Sequence, residues 1–425
     1  MSATWPRPPG PFDVVPLAEL PCASENVTGC GQTRMDPYHG SVWGAGSQAS
    51  WMSRDEGLAL EAAGMGRLAA KDRAMTPEMA LEMLSKPGAS RDKMLRVLAA
   101  VLMWRTSTTE QLAAITGVSG RPLDRCLSAG WALGLFNRGR IISHLPWQNF
   151  PQLWRVGRKS DLAKFDHYFS TREWALTLAG QRWNEGSQID RHNLLATELA
   201  LRIAEHCPTT AVLGEHLANL ALLTGGVPST TNRYADSVIV RADGALIAIE
   251  VTASGYRRTA AKVEAWMQLL AQPGGRNMAV LFVDASRPDD SAAGEHLSDA
   301  ILSAISTTPG VYQSGAVDRI MIARWRDWFP SLHESNRTFP SLPAVTPSGP
   351  AGDRWRDVSV IDPFSLEIEE RAGAADMLDR ITALYGTPHW QQTGPELDVS
   401  AVVLGRAGLA EHPLADHVPL RWRET

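Results

Sequence analysis

The stretch Thr231–Trp266, TNRYADSVIVRADGALIAIEVTASGYRRTAAKVEAW, constrains the fold more than any other. Two apolar, β-branched runs flank Ala242-Asp243-Gly244, the signal of an antiparallel hairpin, and a basic helix follows. Asp236 opens the first strand and Glu250 closes the second. Crossing the hairpin brings those two ends together, so the carboxylates become neighbours at one edge of a sheet. With Lys262 on the next helix, such a pair suits a hard cation such as Mg²⁺ beside a phosphate. The same residues also read as solvated strand ends, and spacing alone leaves both readings open.

The hairpin lies within residues 190–329, which are expected to form one domain. DRHNLLATELALRIAEHC is an amphipathic helix beginning at Asp190, and TTAVLGEHL reads as a strand. After the hairpin come a helix from about 257 to 271, the strand NMAVLFVDA, the helix HLSDAILSAI and the strand AVDRIMIAR. That order predicts a mixed sheet with helices on its faces, an α/β arrangement.

Residues 90–160 read differently. SRDKMLRVLAAVLMWR has apolar residues at helical spacing, TSTTEQLAAITG is a short helix closed by Gly117, and VSGRPLDRCLSAGWALGLF is a third helix. NRGRIISHL and FPQLWRVGR follow as two strands joined by a loop. Three helices and a β-ribbon, with a short turn between the second and third helices, describe a winged helix-turn-helix. Between Arg91 and Ser160 stand eleven Lys and Arg against three acids, a local charge of +8 in a chain whose net charge is -5. Such a field attracts polyanions, which makes double-stranded DNA the expected partner. Ser119, Arg121 and Arg125 belong to the recognition helix, with Ser128 a further candidate, and Arg138, Arg140 and Arg155 on the ribbon are expected to meet phosphates.

The rest of the chain is organised as arms and connectors. Residues 1–55 are rich in Pro, Gly and Ser, with scattered Trp5, Trp43 and Trp51, and read as an extended arm packing by its aromatics. Residues 56–89 and 161–189 are connectors, the first helical, with helices expected from Ser53 to about Leu68 and from Thr76-Pro77. Residues 330–425 read as a Pro-rich linker and an acidic tail with one helix, about Ala372–Tyr385. From 331 onward fourteen acids face eight bases, a charge of −6. Residues 1–55 and 331–425 are thus candidate surfaces for protein partners, and a structural or assembly protein is the alternative to a DNA-binding one.

Cys22, Cys30, Cys126 and Cys207 are scattered without zinc spacing and are expected to be free thiols in a reducing compartment. No apolar run approaches a bilayer span, and the first residues lack a basic segment followed by an apolar one. A cytoplasmic chain with no membrane partner is therefore expected. No phosphate-binding GxxxxGK[ST] loop, HExxH or G-x-S-x-G elbow is present. Tyr256, beside Arg257 and Arg258, is a weak candidate for a DNA-attacking nucleophile, since the histidines are dispersed.

The helix, hairpin, helix and strand, with carboxylates at Glu198, Asp236 and Glu250, resemble the PD-(D/E)XK nuclease-like fold. Joined to the upstream winged helix, and with His192-Asn193-Leu194 through Leu199 and RYADSVIVRADGALIAIEVT, the chain is similar to the replication-relaxation protein family of actinobacterial plasmids and phages. The resemblance covers roughly Arg91–Arg326. It implies a DNA-binding protein with Glu198, Asp236 and Glu250 as Mg²⁺ ligands and a lysine two residues after the second carboxylate. Thr252 occupies that lysine position and Ala235 the preceding proline position. Thr252 is neutral, so Lys262, Arg257 or Arg258 must supply the cation if the site cleaves DNA. Otherwise the fold serves for DNA binding alone.

Overall fold

Seven strands make the larger sheet, in the order Arg354–Ser359, Pro343–Ser348, Ile320–Arg324, Met278–Asp284, Leu246–Thr252, Ser237–Val240 and Ala211–Gly214. The computed structural model describes residues 13–27, 30, 34–39, 48–142, 151–157, 165–178, 190–218, 234–253, 259–287, 293–348, 354–369, 378–379 and 381–392. They fall into two compact units, Met1–Ser41 with Glu198–Leu378, and Val42–Thr197 with Asp379–Thr425. The dividing point lies inside the helix Asp190–His206.

In the first unit the hairpin pairs Ser237 with Ile249 and Val240 with Leu246, and Gly244 supplies the turn with a φ of 80°. Only glycine takes that backbone without strain. Leu246–Thr252, Met278–Asp284 and Ile320–Arg324 run parallel, with Thr252 opposite Asp284 and Asp284 opposite Arg324. Strands of a parallel sheet are covered on both faces, and these are buried almost throughout. The helices Thr259–Ala271 and Ala293–Thr307 pack on each other and on the Met278–Asp284 strand, burying Trp266 and Leu297 completely. Each aliphatic side chain so buried contributes about 1.5–3 kcal/mol. The expected order of helices and strands over 190–329 is thus present.

The sheet continues where a linker was expected. Pro343–Ser348 and Arg354–Ser359 pair antiparallel from Pro343↔Ser359 to Ser348↔Arg354 and extend the sheet beside Ile320–Arg324. Val14–Pro16 pairs antiparallel with Glu334–Asn336. Val14–Pro16, Glu334–Asn336, Pro343–Ser348 and Arg354–Ser359 are therefore built into this unit and not left as arms, while Gln48–Met52 joins a strand of the other unit. Tyr38 stacks on Trp325 at 5.6 Å. Trp5, Trp43 and most of the expected helix Ala372–Tyr385 lie outside the described residues.

Cys22 and Cys30 form a disulfide, which corrects the expectation of free thiols for that pair. Their Cα atoms lie 5.9 Å apart, within bridging reach. Cys126 and Cys207 are free and buried.

The second unit has a four-stranded antiparallel sheet in the order Gln48–Met52, Phe136–Ile142, Leu153–Val156 and Thr106–Thr108. Against it stand the helices Ala89–Trp104, Thr109–Thr116 and Gly120–Ala132, with Arg54–Ala62, Ala70–Ala74 and Pro77–Ser85 before them. The helix starts follow their sequences. Ser53 with Glu56, and Thr108 with Gln111, form capping boxes, and Pro77 opens its helix behind Thr76. Gly117, at a φ of 68°, ends Thr109–Thr116 in the left-handed conformation. The helix from Arg54 stops at Ala62, earlier than the expected Leu68, because Gly64 turns the chain at a φ of 71°. Among the described residues no helix is long and apolar enough to cross a membrane.

Candidate active site and nucleic-acid face

The hairpin register brings Asp236 and Glu250 together as its sequence implies. The Asp236 amide donates to the Ile249 carbonyl at 3.0 Å, and the Val251 amide donates to Asp236 Oδ2 at 2.7 Å. Lys262, on the first turn of Thr259–Ala271, reaches back to both carboxylates. Its Nζ is ion-paired with Glu250 Oε2 and lies 3.8 Å from Asp236 Oδ2. The helix contributes a second side chain, Trp266, whose indole N–H donates to Glu250 Oε1. Lys262 and Trp266 are four residues apart and so share a helix face.

Glu250 is completely buried, while Asp236 and Lys262 keep partial access to solvent. Burial pushes the Glu250 carboxyl up to about 7; Lys262 opposes this, and the nearby Asp236 charge adds to it. A second strip of polar groups lies beside the pair. Thr252, half-buried, is followed across the sheet by Asp284, which accepts from the Ser286 hydroxyl at 2.6 Å. Beyond it, burial pushes the Asp327 carboxyl up to about 6 against the pull of Arg324 and Arg326.

Glu198, expected as a third ligand, is engaged elsewhere. It is buried and pairs with Arg34 at 3.2 Å and with Arg202 at 3.1 Å. Arg34 also holds Glu205, and Arg202 holds Asp36 at 2.8 Å. Burial alone would raise the Glu198 carboxyl, but Arg34 and Arg202 outweigh it and keep it below its ordinary value. Two guanidiniums occupy this carboxylate, so the structure does not bear out its assignment as a metal ligand. Among the described residues no three His, Cys, Asp or Glu side chains converge as a metal-binding group. Tyr256, Arg257 and Arg258 lie outside the described residues.

The basic residues of the other unit separate into two sets. Ser119, which precedes Gly120–Ala132, and Arg121 and Arg125 on that helix are exposed, as is Arg140 on the Phe136–Ile142 strand. Arg138 and Arg155 are not available to phosphates. Arg138 pairs with the buried Asp72 and donates to Gln152 at 2.6 Å. Arg155 is 8 % exposed and lies over the Trp51 ring, 4.3 Å from its centroid. Ser128 is buried and donates to Asp72 at 2.8 Å. A strand alternates its faces, and that period puts Arg138 and Arg140 on the same side; the difference between them comes from Asp72, which the sequence does not place.

The Trp266 contact had one sequence signal, a tryptophan one turn after Lys262 on a helix following an acidic hairpin. Asp284 had the signal of an acid ending a buried strand. Neither is decisive without the register. No family model matches the chain, and neither does any curated protein or solved structure.

Proposed function

We propose that the chain is a DNA-binding protein with a cation-dependent phosphodiester-cleaving centre, built as a winged helix-turn-helix and a PD-(D/E)XK-like domain. The observation that carries this reading is the convergence of Asp236 and Glu250 on one ammonium, Lys262 Nζ. That ammonium stands in for a cation: it marks the point at which both carboxylates direct negative charge. Hard carboxylate oxygens at such a point fit Mg²⁺ or Mn²⁺. When bound, the cation supplies neutralisation of phosphate charge and acidification of water.

The chain's own groups have separate tasks in this reading. Asp236 and Glu250 hold the cation once Glu250 is ionised. Lys262 supplies the charge that Thr252 lacks, and on release from the carboxylates its Nζ pairs with a non-bridging phosphate oxygen. Trp266 fixes one Glu250 oxygen so that the other faces Lys262. In the helical unit the exposed Arg121, Arg125 and Arg140 support duplex docking through phosphate contacts.

Purified protein is incubated with supercoiled plasmid and Mg²⁺ or Mn²⁺, beside an Asp236→Ala/Glu250→Ala variant. The reading expects cation-dependent nicking that the variant loses while retaining duplex binding. Duplex binding without nicking by the wild type would reject the cleaving centre, and absence of binding would reject the DNA reading altogether.

A further inference from the structure

At the other end of the parallel strands from Asp236 and Glu250 lies a cavity of about 590 Å³. Arg319 precedes the strand Ile320–Arg324 and Arg276 precedes Met278–Asp284, so the cavity sits at the strand starts while Glu250 and Thr252 sit at a strand end. Its size falls within the range of roughly 300–1,000 Å³ usual for small-ligand sites. Three guanidiniums, Arg276, Arg319 and Arg356, line it together with the ring of Phe364.

Phe364 is 93 % exposed, although nearly every other large aromatic described here is covered. The backbone that carries it is braced. The Phe364 amide donates to Asp362 Oδ1 at 2.9 Å, and the Leu366 amide donates to the Asp362 carbonyl at 3.0 Å. The Ser359 amide donates to Ser365 Oγ at 2.8 Å, and the buried Arg241 donates to the Leu366 carbonyl at 2.9 Å. An exposed ring on a braced turn offers a face on which a base can stack.

The cations are equally specific. Arg319 gives all its N–H donors to backbone carbonyls, those of Gly315, Gly275, Met278, Leu270 and Ser314. It is buried without a carboxylate hydrogen-bonded to it, and the nearby charges of Glu369 and Asp318 only partly offset the cost of its burial. Arg276 and Arg356 are half-exposed and touch Glu369 and Asp318 only at 3.7 and 3.9 Å. Such long, exposed pairs are weak and readily exchanged for phosphate, which a guanidinium binds through paired N–H donors. Asp318, Glu367 and Glu369 add to the lining three carboxylates able to accept from sugar hydroxyls.

We propose that this cavity binds an aromatic base carrying a phosphate, the base stacked on Phe364 and the phosphate held by Arg276 and Arg356. The same chemistry is offered by a free nucleotide and by the end of a single nucleic-acid strand. The proposal does not rest on the cleaving centre, since none of its residues belongs to it.

Calorimetric titration of the full chain with AMP, inorganic phosphate and a short oligodeoxyadenylate tests it. The wild type is compared with Phe364→Ala and with Arg276→Ala/Arg356→Ala, each checked for folding by circular dichroism. The expected result is binding of AMP in preference to phosphate, weakened about tenfold or more by Phe364→Ala and similarly by the arginine variant. Weakening for AMP alone identifies a free nucleotide as the ligand, and weakening for the oligonucleotide as well identifies a strand end. Absence of AMP binding, AMP binding no tighter than phosphate, or AMP affinity unchanged by Phe364→Ala overturns the proposal. Asp236→Ala/Glu250→Ala leaves AMP binding unaltered, so its outcome is separate from that of the nicking assay.

Discussion

Glu250→Gln isolates the electrostatics of the carboxylate pair. Burial moves the Glu250 carboxyl from its ordinary value of 4.5 up to about 7, despite Lys262. A raised carboxyl value means that the folded chain binds the proton more tightly than the unfolded chain. The resulting stability is complete below the unfolded value and is lost as pH rises through the folded one. At about 1.36 kcal/mol per unit, the interval amounts to about 3 kcal/mol. Glutamine keeps an oxygen for the Trp266 N–H but does not titrate, so the variant lacks this slope. Asp327, raised to about 6 by burial, contributes equally to both proteins and cancels in the difference. Urea unfolding, followed by hydrogen exchange of the Leu246–Thr252 amides across this pH range, measures that difference. The wild type should lose about 3 kcal/mol relative to Glu250→Gln between 4.5 and about 7. A difference that stays flat with pH refutes the placement of Glu250 as a buried, proton-binding carboxyl.

Other perturbations test the surrounding account. Arg34→Ala leaves Glu205 and Glu198 short of a buried counter-charge and should lower the stability of that unit by about 3–5 kcal/mol in urea unfolding, with no gain in nicking. Gly130→Ala would place a methyl 2.2 Å from the buried Phe136 ring, and a loss of about 1–3 kcal/mol is expected by thermal unfolding. Cys22→Ser removes a bridge closing a short loop and should cost about 2 kcal/mol, an effect that a reducing agent reproduces in the wild type only. Arg121→Ala/Arg125→Ala should weaken duplex binding and flatten its dependence on the logarithm of salt by about 2, whereas Arg155→Ala should leave the slope unchanged; fluorescence anisotropy over a salt series separates the two.

The elements legible in the sequence were those whose signals are local. The hairpin rested on apolar, β-branched runs flanking Ala242-Asp243-Gly244, and the helix starts on Ser53 and Pro77. Because the hairpin register follows from its turn, the meeting of Asp236 and Glu250 was legible too. What stayed hidden depends on partners far along the chain. Pro343 and Pro347 read as breakers, yet Pro343 takes the first position of a strand, where proline is tolerated, and that strand, Pro347 included, pairs with Arg354–Ser359. Glu198 was a ligand candidate through the resemblance, and the structure pairs it with Arg202 on its own helix and with Arg34, distant in sequence. Arg138 and Arg155 carried the same charge as Arg121 and Arg140, and burial against Asp72 and Trp51 sets them apart. The Cys22–Cys30 bridge has a spacing that neither requires nor forbids it.

Cation binding is the most direct test of the Asp236–Glu250 centre. Mn²⁺ is titrated into the wild type and an Asp236→Asn/Glu250→Gln variant above the pH at which Glu250 ionises, and bound metal is followed by electron paramagnetic resonance. The account predicts a site in the wild type that is missing from the variant and that weakens as pH falls through about 7. Equal Mn²⁺ binding by the two proteins contradicts it.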